Sequence, residues 1–364
     1  MPHDPADYLA LHEFVRDARG RLDAFAWDYL TGGTETEASV RRNRHAIESV
    51  GMRPRVLVDM ALVDATRHLF GHDWRLPVLL APVGGLEAFD PAGALPVAEA
   101  AGRFGVPVML SSVSKVPMET VRGATGHAAI FQLYVRDDAA WVDAQVERAI
   151  ASGYDVFCLT VDSAVYSRRE RDIVKRFDKP WRAHVDERAI HYQAALSWDT
   201  VARIKQRYEI PLMLKGIATA EDAALAVEHG VDIVYVSNHG GRQLDQCLGS
   251  LAVLPEVVDA VAGRAVVFVD GGFCRGTDIV KALAVGAGAV GIGRLYCYAL
   301  AAAGAPGVVR MLELLETEMK AALALLGAAS LEALTPSHLA PGAPVVSDTG
   351  VLGAFPLLEH GGTD

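Results

Sequence analysis

The sequence lacks the features that mark several large classes of protein. Its four cysteines, Cys158, Cys247, Cys274 and Cys297, form no CxxC pair, which favours a reduced, intracellular setting and predicts no metal site. Basic residues are in the minority, with 34 Lys and Arg against 45 Asp and Glu, a net charge of −11. Nucleic acid, which binds basic surfaces, is therefore not an expected partner. A small carboxylate remains possible, because a local pair of arginines can hold one.

Membrane and nucleotide-loop patterns are also missing. No apolar run reaches the roughly 18 residues of a membrane span, and MPHDPADY at the N-terminus is unlike a signal peptide. We therefore expect a cytoplasmic protein without membrane contact. No GxxxxGKS occurs, and GAGAVG at 286–291 leads into an apolar run instead of following one. It should not be interpreted as a dinucleotide fingerprint.

What the sequence does contain is one repeated unit. Short apolar runs alternate with Ala-rich amphipathic stretches, and most runs are about 22–32 residues apart. The eight runs are 77–82, 107–112, 129–135, 156–162, 211–216, 233–238, 266–272 and 289–294. Such continuous apolar runs are typical of parallel strands covered by helices. Eight strand–helix units predict an α/β fold, a closed (β/α)₈ TIM barrel with an N-terminal helical segment. An open doubly wound sheet is the alternative.

We interpret the chain as a single domain over residues 1–364. Residues 1–76 supply N-terminal helices and a lead-in, with a helix predicted to restart after TGG behind a threonine N-cap in TETEASV. The barrel is predicted over 77–335, and 336–364, rich in Pro and Gly, as an irregular tail. A gap of about 55 residues between the fourth and fifth runs predicts a long loop over the catalytic face.

Polar residues and glycines stand at the end of each run. In a parallel barrel all these ends meet at one mouth, where active sites lie. One polar residue after a strand is usually a turn or a helix cap, but eight strands that all end this way predict a site. The ends supply Ser111, Ser112, Gln132, Tyr134, Thr160, Asp162, Lys215, Ser237, Asn238, His239, Asp270, Gly271, Gly272, Gly293 and Arg294.

The last two ends predict a phosphate site. VDGGFCRGTD and GAGAVGIGR place glycines before helix starts, where backbone N–H groups bind phosphate, and Arg294 and Arg275 would add charge. Ordinary turn glycines are the alternative. A flat cofactor would then lie across the mouth, where Lys215 could stabilise a ring that gains negative charge on reduction. A carboxylate partner or a Schiff base are other roles for this lysine. Neutral hydrogen-bonding groups for the ring are Ser111, Gln132 and Thr160.

The stretch VSNHGGRQLD at 236–245 carries the candidate chemistry. His239 can take a proton near neutral pH, and Arg242 can hold a carboxylate with two hydrogen bonds. Asp162, at the end of the fourth run, could orient the histidine and stabilise its charged form. A structural histidine is the alternative for His239 taken alone.

These motifs resemble the FMN-dependent 2-hydroxy acid oxidases and dehydrogenases, the group of glycolate oxidase, lactate oxidase and mandelate dehydrogenase. SNHGGRQLD is the signature of that family. The other motifs follow in the family's order over about residues 20–340: WDYLTGG, NRHAI, RPRVLVD, FQLYV, LTVDSAVYSRRERD, LKGI and VDGGFCRGTD.

The resemblance implies a role for each matching residue. His239 would remove a proton from the substrate with Asp162 as its partner, and Tyr134 and Lys215 would complete the catalytic set. The substrate carboxylate and hydroxyl would be bound by Tyr29, Tyr134, Arg169 and Arg242. The implied FMN-binding residues are Ala81, Pro82, Val83, Ser111, Gln132, Thr160, Lys215, Ser237, Asp270, Gly271, Gly272, Arg275, Gly293 and Arg294.

Three positions depart from the family pattern. Cys274 stands where the family usually has a phosphate-binding arginine, so that the phosphate is held less tightly or Arg275 takes over. Gly84 stands where many members have alanine, and Val113 where short-chain oxidases often have tryptophan. Both changes open space beside the ring and predict a bulky, aromatic substrate side chain, with simple repacking as the alternative.

The sequence thus predicts an FMN-dependent (S)-2-hydroxy acid oxidase. It would convert an L-2-hydroxy acid with a mandelate-like side chain to the 2-keto acid, with O2 as acceptor and hydrogen peroxide as product. Alternatives are a dehydrogenase with another acceptor, oxidation of an amine or another intermediate of secondary metabolism, and a non-catalytic flavin-binding scaffold. We expect a homotetramer or homo-octamer.

Overall fold

The N-terminal part of the chain is helical, as predicted. In the computed structural model, which describes residues 4–177, 187–343 and 350–359, the first helices are α1 (Leu11–Arg21), α2 (Ala24–Thr31) and α3 (Ala38–Glu48). The carboxylate of Asp23 accepts the N–H groups of Phe25 and Ala26 at 2.9 and 2.7 Å and so caps α2. The apolar residues of α1 recur at helical spacing and are buried: Leu11, Phe14, Val15 and Ala18.

The start of α3 differs from the prediction. No threonine caps it; the residue before Ala38 is Glu37, in the left-handed conformation. The nearby N–H groups of Thr36 and Ser39 instead donate to the carboxylate of Asp245, at 2.9 and 3.0 Å. This carboxylate lies about 200 residues away in sequence, so a local pattern could not reveal it.

Three short strands lie between α3 and the barrel: β1 (Val50–Met52), β2 (Arg67–Leu69) and β3 (His72–Trp74). The strands β2 and β3 form an antiparallel hairpin that the sequence did not predict. Its last residue, Trp74, is 1% exposed, and the Trp74 and Phe268 ring centroids are 5.9 Å apart. The hairpin therefore fills the interior of the barrel from the side where the strands begin.

Eight parallel strands close into the predicted barrel. Its neighbours follow chain order, and the last strand pairs with the first through Val290 and Val78. The TIM-barrel prediction is confirmed, and the open doubly wound sheet is wrong. The strands are β4 (Val78–Leu80), β5 (Val108–Ser111), β6 (Ala129–Leu133), β7 (Val156–Thr160), β8 (Leu212–Ile217), β9 (Ile233–Val236), β10 (Val266–Val269) and β11 (Ala289–Ile292).

The strands are apolar throughout because both of their faces are covered. In β4, Leu79 joins the cluster inside the barrel, whereas Val78 and Leu80 join the cluster between the strands and the helices. Burying a side chain of this size contributes about 1.5–3 kcal/mol. Burial of the strands thus stabilises the barrel. The carboxyl ends of these strands hold the polar residues of the mouth in fixed positions.

One helix follows each barrel strand, and the described part of the long segment between β7 and β8 holds two more. The helices that cover the barrel are α4 (Leu95–Phe104), α5 (Met118–Thr125), α6 (Ala139–Ala151), α9 (Trp198–Arg207), α10 (Ala220–Glu228), α11 (Ser250–Val261), α12 (Gly276–Val285) and α13 (Arg294–Leu326). The helices of the long segment are α7 (Glu170–Val174) and α8 (Glu187–Ala194).

The last helix, α13, is long and apolar enough to cross a membrane by those two criteria alone. However, 67% of its most apolar window is buried inside the protein. It bends at Ala303 and Gly304, where the backbone leaves the helical conformation, and it packs against α1, α4 and α12. These contacts are those of a helix in a protein core.

The predicted irregular tail is not irregular throughout. Residues of β12 (Leu339–Pro341) pair antiparallel with β1, with Ala340 opposite Gly51. Short 3-10 helices follow at Gly350–Ala354 and Pro356–Glu359. A three-residue strand is too short to show an alternating pattern, which explains why the sequence did not reveal this pairing.

Candidate active site

The carboxyl ends of the barrel strands surround one cavity that contains most of the predicted site. The predicted residues that line it are Tyr29, Ala81, Pro82, Val83, Tyr134, Arg169, Lys215, His239, Arg242, Asp270, Gly271, Gly272, Gly293 and Arg294. Five others, Ser111, Gln132, Thr160, Asp162 and Ser237, lie at the same strand ends. Only Arg275 lies apart from the group, as described below.

His239 occupies the centre of a chain of hydrogen bonds. Its Nδ1 lies 3.1 and 3.2 Å from the two carboxylate oxygens of Asp162, and its Nε2 lies 3.2 Å from the hydroxyl of Tyr134. The carboxylate assigns the proton to Nδ1, so Nε2 is left as an acceptor that receives the Tyr134 O–H. Burial raises the pKa of Tyr134, which keeps this hydroxyl protonated.

The pKa values of this pair suit a base. Burial lowers the pKa of His239, an effect that Asp162 offsets only in part, so the imidazole is neutral at pH 7. Burial by itself raises the pKa of Asp162, but the charge of His239 and its hydrogen bond outweigh this, and the net pKa of Asp162 lies below its ordinary value. A neutral imidazole beside a carboxylate can accept a proton and have the resulting charge stabilised.

The backbone that carries His239 is strained. His239 has φ of +58°, and Gly240 and Gly241 follow with +62° and +76°. A side-chain residue rarely adopts this conformation, and such outliers concentrate at functional sites. A β-carbon on Gly241 would lie 2.6 Å from the backbone nitrogen of Val40, so only glycine fits there. The tight turn thus brings the signature segment against α3.

Lys215, on the strand next to the one that carries His239, is held as a fixed cation. Its Nζ donates to the hydroxyl of Ser237 at 2.7 Å and lies 3.1 Å from a carboxylate oxygen of Asp270, while Ser237 donates to the other oxygen at 2.6 Å. Although burial lowers the pKa of a lysine, the charge of Asp270 outweighs this and raises the pKa of Lys215. The ammonium group therefore stays charged. A Schiff base forms from a neutral amine, so the ion pair with Asp270 disfavours that alternative role.

Arg242 and Arg169 form a cationic pair in the cavity. Arg242 donates from Nη1 to the carbonyls of Tyr29 and Gly32, at 2.7 and 2.8 Å, and Arg169 donates to the Arg242 carbonyl at 3.4 Å. Burial, followed by the charge of Arg169, lowers the pKa of Arg242 to about 9. Two partly buried guanidinium groups in one cavity favour binding of an anion beside them.

Two functional positions on α3 were not predicted. The side-chain amides of Asn43 and Asn238 exchange hydrogen bonds at 2.9 and 2.8 Å. Arg44 donates to both oxygens of Asp278, at 2.7 and 2.9 Å, and to the carbonyl of Gly272 at 3.2 Å. The helix α3 therefore fastens the loops after β9 and β10. A signal was present, since NRHAI places an asparagine and an arginine next to the apolar residues of an amphipathic helix.

Gln193 on α8 is another residue that sequence reasoning missed. It is 6% exposed and lines the cavity. Its amide nitrogen donates to the carbonyl of Thr160 at 2.9 Å, and its oxygen accepts the N–H of Val135 at 2.6 Å. The long segment after β7 is thereby tied to the ends of two strands, consistent with its predicted position over the mouth.

Comparison with known proteins identifies the family. Residues 18–341 match the family described as FMN-dependent dehydrogenase. The chain belongs to this family. It is 38% identical to L-lactate oxidase of Nostoc sp., over 91% of this chain and 98% of the relative. It is 36% identical to glycolate oxidase of Spinacia oleracea, over 91% and 95%. The resemblance stated from the motifs is therefore confirmed.

Solved structures of the FMN-dependent dehydrogenases superpose closely on this chain. A mandelate oxidase with (S)-2-phenylpropionate matches with a TM-score of 0.86 and 39% identity, over 93% of this chain and 100% of that one. An active chimera of (S)-mandelate dehydrogenase matches with a TM-score of 0.85 and 33% identity, over 91% and 99%.

FMN is the cofactor of the family, and the residues at the strand ends fit it. The side chains of Gln132 and Thr160 are fully buried, and their polar atoms have no hydrogen-bond partner within the described part of the chain. Buried polar groups are normally satisfied. Adjacent strands thus present neutral donors and acceptors at the mouth, next to the cation of Lys215, which suits a ring rich in N and O atoms.

The predicted phosphate end requires a correction. Arg275 pairs with Glu318, with its Nε 3.1 Å from a carboxylate oxygen, and donates to the carbonyl of Ala354, so it does not face the cavity. Cys274 is buried, and burial raises the pKa of its thiol to about 12, so it adds no charge. Arg294 does line the cavity, but it donates to three carbonyls, those of Leu30, Gly32 and Gly240.

Proposed function

We propose that the chain oxidises an L-2-hydroxy acid with a bulky, aromatic side chain to the 2-keto acid, with dioxygen as acceptor and hydrogen peroxide as product. The observation that carries this proposal is the arrangement of His239, with its Asp162 partner, in the same cavity as Arg169 and Arg242. A base and a carboxylate site side by side are what a 2-hydroxy acid requires. The family relatives named as lactate and glycolate oxidases support this reaction class.

Each side chain of the site has its own role in the proposed reaction. Arg169 and Arg242 bind the substrate carboxylate and so fix the position of the hydroxyl-bearing carbon. His239 accepts a proton from the substrate at Nε2 and keeps its Nδ1–H on Asp162, whose negative charge stabilises the imidazolium that forms. The hydroxyl of Tyr134, which donates to Nε2 in the free site, would turn to an oxygen of the substrate when Nε2 takes the proton. Bound FMN would supply the two-electron acceptor, which would take up both electrons and the second hydrogen of the CH–OH group, and dioxygen would reoxidise it to give hydrogen peroxide.

Lys215 supplies the fixed positive charge of the site. Its ion pair and hydrogen bond hold the ammonium group in one place before any reaction occurs. A cation that is already in position does not have to move when negative charge develops nearby. Electrostatic stabilisation is strongest when the charged group is positioned in advance in this way. The lysine therefore acts by position and charge and makes no covalent bond.

The aromatic side chain of the substrate is supported by the cavity wall and by the relatives. Val83, Gly84, Phe89 and Val113 supply an apolar wall in the same cavity as His239. The structural relatives named as mandelate oxidase and (S)-mandelate dehydrogenase act on, or were studied with, phenyl-bearing acids. An apolar wall with one aromatic side chain suits a phenyl ring.

Anaerobic mixing tests this proposal. The yellow protein is combined with glycolate, lactate, both mandelate enantiomers and matched amines such as 1-phenylethylamine, and the flavin absorbance is followed. We expect (S)-mandelate to bleach the flavin fastest. Air is then admitted, and rapid recovery with stoichiometric hydrogen peroxide indicates an oxidase; slow recovery that a quinone accelerates indicates a dehydrogenase.

Arg242→Ala separates the hydroxy acid from a neutral amine as substrate. Removing a buried guanidinium that binds a carboxylate raises KM or lowers kcat/KM by about 10²–10³-fold. Bleaching by an amine with no response to Arg242→Ala would overturn the proposed substrate class. A purified protein that takes up no FMN would instead favour a scaffold role.

We also propose a cytoplasmic, homo-oligomeric enzyme, a tetramer or an octamer. The four cysteines are free in the structure, and three of them are buried, as expected for a reduced compartment. Light scattering of the purified holoenzyme measures the mass of the assembly, and a monomeric mass at micromolar concentration would contradict this expectation.

A further inference from the structure

Arg136 is a cavity residue to which the proposed reaction gives no role. It follows β6 by three residues, in the loop that also carries Tyr134, and its side chain lines the same cavity as His239, Arg169 and Arg242. Its guanidinium carbon lies over the ring of Tyr134, 5.8 Å from the ring centroid. The hydroxyl of that tyrosine contacts His239, so Arg136 is one side chain away from the base.

The described residues supply no ion pair to Arg136. No carboxylate of residues 4–177, 187–343 or 350–359 lies within ion-pair distance of it, although Asp137 and Asp138 follow directly in sequence. Asp137 lies 3.5 Å from Arg188, and Asp138 caps α6. The hydrogen-bond partner of Arg136 is the hydroxyl of Tyr166, which accepts from Nη1 at 2.8 Å. Tyr166 also lines the cavity and is 37% exposed, so the two side chains present a polar patch at the solvent side of its wall.

Among the described residues, the charged groups of the cavity wall include no counter-ion for Arg136. Within the described residues the wall holds five cations and one carboxylate: Arg136, Arg169, Lys215, Arg242, Arg294 and Asp270. The phosphate of FMN carries about −1.5 to −2 near pH 7, and the substrate carboxylate carries one further negative charge. Asp162, 3.1 Å from His239, adds one more negative charge, and the sum then comes close to zero. The contacts of Arg136, and not an excess of charge in the cavity, therefore set this side chain apart.

The other cations are accounted for by their contacts. Lys215 is paired with Asp270, Arg294 is held by three carbonyls beside the glycine loops, and Arg169 and Arg242 lie together. Of these five cations, Arg136 alone has a hydroxyl neighbour and no carboxylate partner within the part of the chain that the structure describes. A guanidinium beside a phenol hydroxyl supplies the donors that a carboxylate accepts.

We propose that Arg136 and Tyr166 bind a second acidic group, a carboxylate at the far end of the substrate side chain. This inference rests on the proposed 2-hydroxy acid oxidation and narrows it, since the preferred substrate becomes a diacid. The first carboxylate lies at Arg169 and Arg242, and the second lies at Arg136, beyond the ring of Tyr134. An aromatic spacer between the two acids fits the apolar wall described above.

The test compares substrates that differ only in the distal charge. Holoenzyme is assayed with 4-carboxymandelate and with its neutral isostere, 4-carbamoylmandelate, and the ratio of the two kcat/KM values is measured. We expect wild type to favour the acid at least tenfold, Arg136→Gln to bring the ratio close to one, and Tyr166→Phe to reduce it in part. Arg188→Gln is the matched control, because this neighbouring arginine is 71% exposed and does not line the cavity, and its ratio should equal that of wild type.

A second readout needs no turnover. The corresponding keto acids, 4-carboxy- and 4-carbamoylbenzoylformate, are titrated into the oxidised holoenzyme, and Kd is obtained from the perturbed flavin spectrum. We expect the same charge preference in wild type and its loss in Arg136→Gln. Equal Kd values for the two ligands in wild type, or an undiminished preference in Arg136→Gln, would overturn the assignment of this arginine.

Failure of the proposed reaction gives a different result. If no mandelate bleaches the flavin, the proposal of an aromatic substrate is wrong. The role of Arg136 is then tested by comparing kcat/KM for 2-hydroxyglutarate with kcat/KM for its 5-amide, two substrates that differ in the distal charge. If mandelate bleaches the flavin but the acid and the amide are equal, the oxidation stands and the distal acid site is wrong.

Discussion

The Cγ2 methyl of Val113 occupies the space beside Gly84. A β-carbon built on Gly84 would lie 2.5 Å from that methyl, far inside the 3.5–4.0 Å at which carbon atoms pack. Both residues line the cavity, and the carbonyl of Gly84 accepts the hydroxyl of Tyr29 at 2.7 Å. The two departures from the family pattern are therefore one packed pair, and a change at either position acts through the other.

Gly84→Ala is expected to reshape the substrate wall. The new methyl would displace Val113 towards the cavity, because Gly84 is anchored through Tyr29. We expect kcat/KM for mandelate to fall about tenfold, in line with the 1–3 kcal/mol that one methylene is worth in an apolar pocket, while lactate changes little. Val113→Ala in the same chain removes the clash and should restore most of the mandelate activity. If Gly84→Ala leaves the ratio of kcat/KM for mandelate to kcat/KM for lactate unchanged, then Gly84 and Val113 do not face the side chain of the substrate.

The His239–Asp162 pair predicts the pH profile. Because burial lowers the pKa of His239, the base stays neutral down to a pH below its ordinary value of about 6.5. The plot of log kcat/KM against pH should be level around neutrality and fall with unit slope only below that point. Asp162→Asn removes the charge that stabilises the imidazolium, and kcat should drop by about 10²-fold or more. An acid limb centred above pH 7 would contradict this assignment.

The barrel and its mouth could be predicted because their signals are local. A strand that is buried on both faces has to be apolar, and it has to end in polar residues where it reaches the site. The sequence IVYV followed by SNHGG shows both patterns. The positions of His239 and Lys215 follow from the fold once the strands are known. Their roles were implied by the family motifs, and the hydrogen bonds at both are consistent with those roles.

Contacts between distant segments could not be predicted in the same way. Asn238 was visible as a strand-end residue, but its partner Asn43 is 195 residues earlier. Arg275 has the charge for a phosphate ligand, yet Glu318, 43 residues later, takes its guanidinium. Charge and spacing state what a side chain can bind, whereas packing of the helices decides which way it faces.

Asn43 is expected to control the retention of FMN. Asn43→Ala leaves the N–H of Ser250 without its side-chain acceptor, and such an unsatisfied buried group costs about 1–3 kcal/mol. The amide of Asn238 loses its exchange with Asn43 and keeps its bond to the carbonyl of Leu248. Since Asn43 also contacts the glycine loop at Gly271, we expect weaker FMN binding, by about tenfold in Kd, together with a lower Tm. Recovery of flavin fluorescence on dilution measures the first effect. His45→Ala, on the exposed face of α3, is the control and should retain FMN.

Asp245 is expected to stabilise the fold in a pH-dependent way. Burial raises the pKa of a carboxyl, but hydrogen bonds from Thr36 and the N–H of Ser39 outweigh this and hold the pKa of Asp245 at about 2. The pKa of the unfolded state is about 3.9, so the folded value is depressed. The stabilisation is then complete above about pH 5 and is lost as pH falls towards 2.

The measurement is the unfolding free energy of holoenzyme variants from pH 7 to pH 3. Asp245→Ala should lose about 1–2 kcal/mol at pH 7, the usual worth of a helix cap, and the difference from wild type should shrink as the pH falls. Asp245→Asn keeps an oxygen acceptor without the titration, so it should lie between the two at pH 7 and show less dependence on pH. If the loss of unfolding free energy in Asp245→Ala stays constant down to pH 3, then the start of α3 is held by packing and not by this carboxylate.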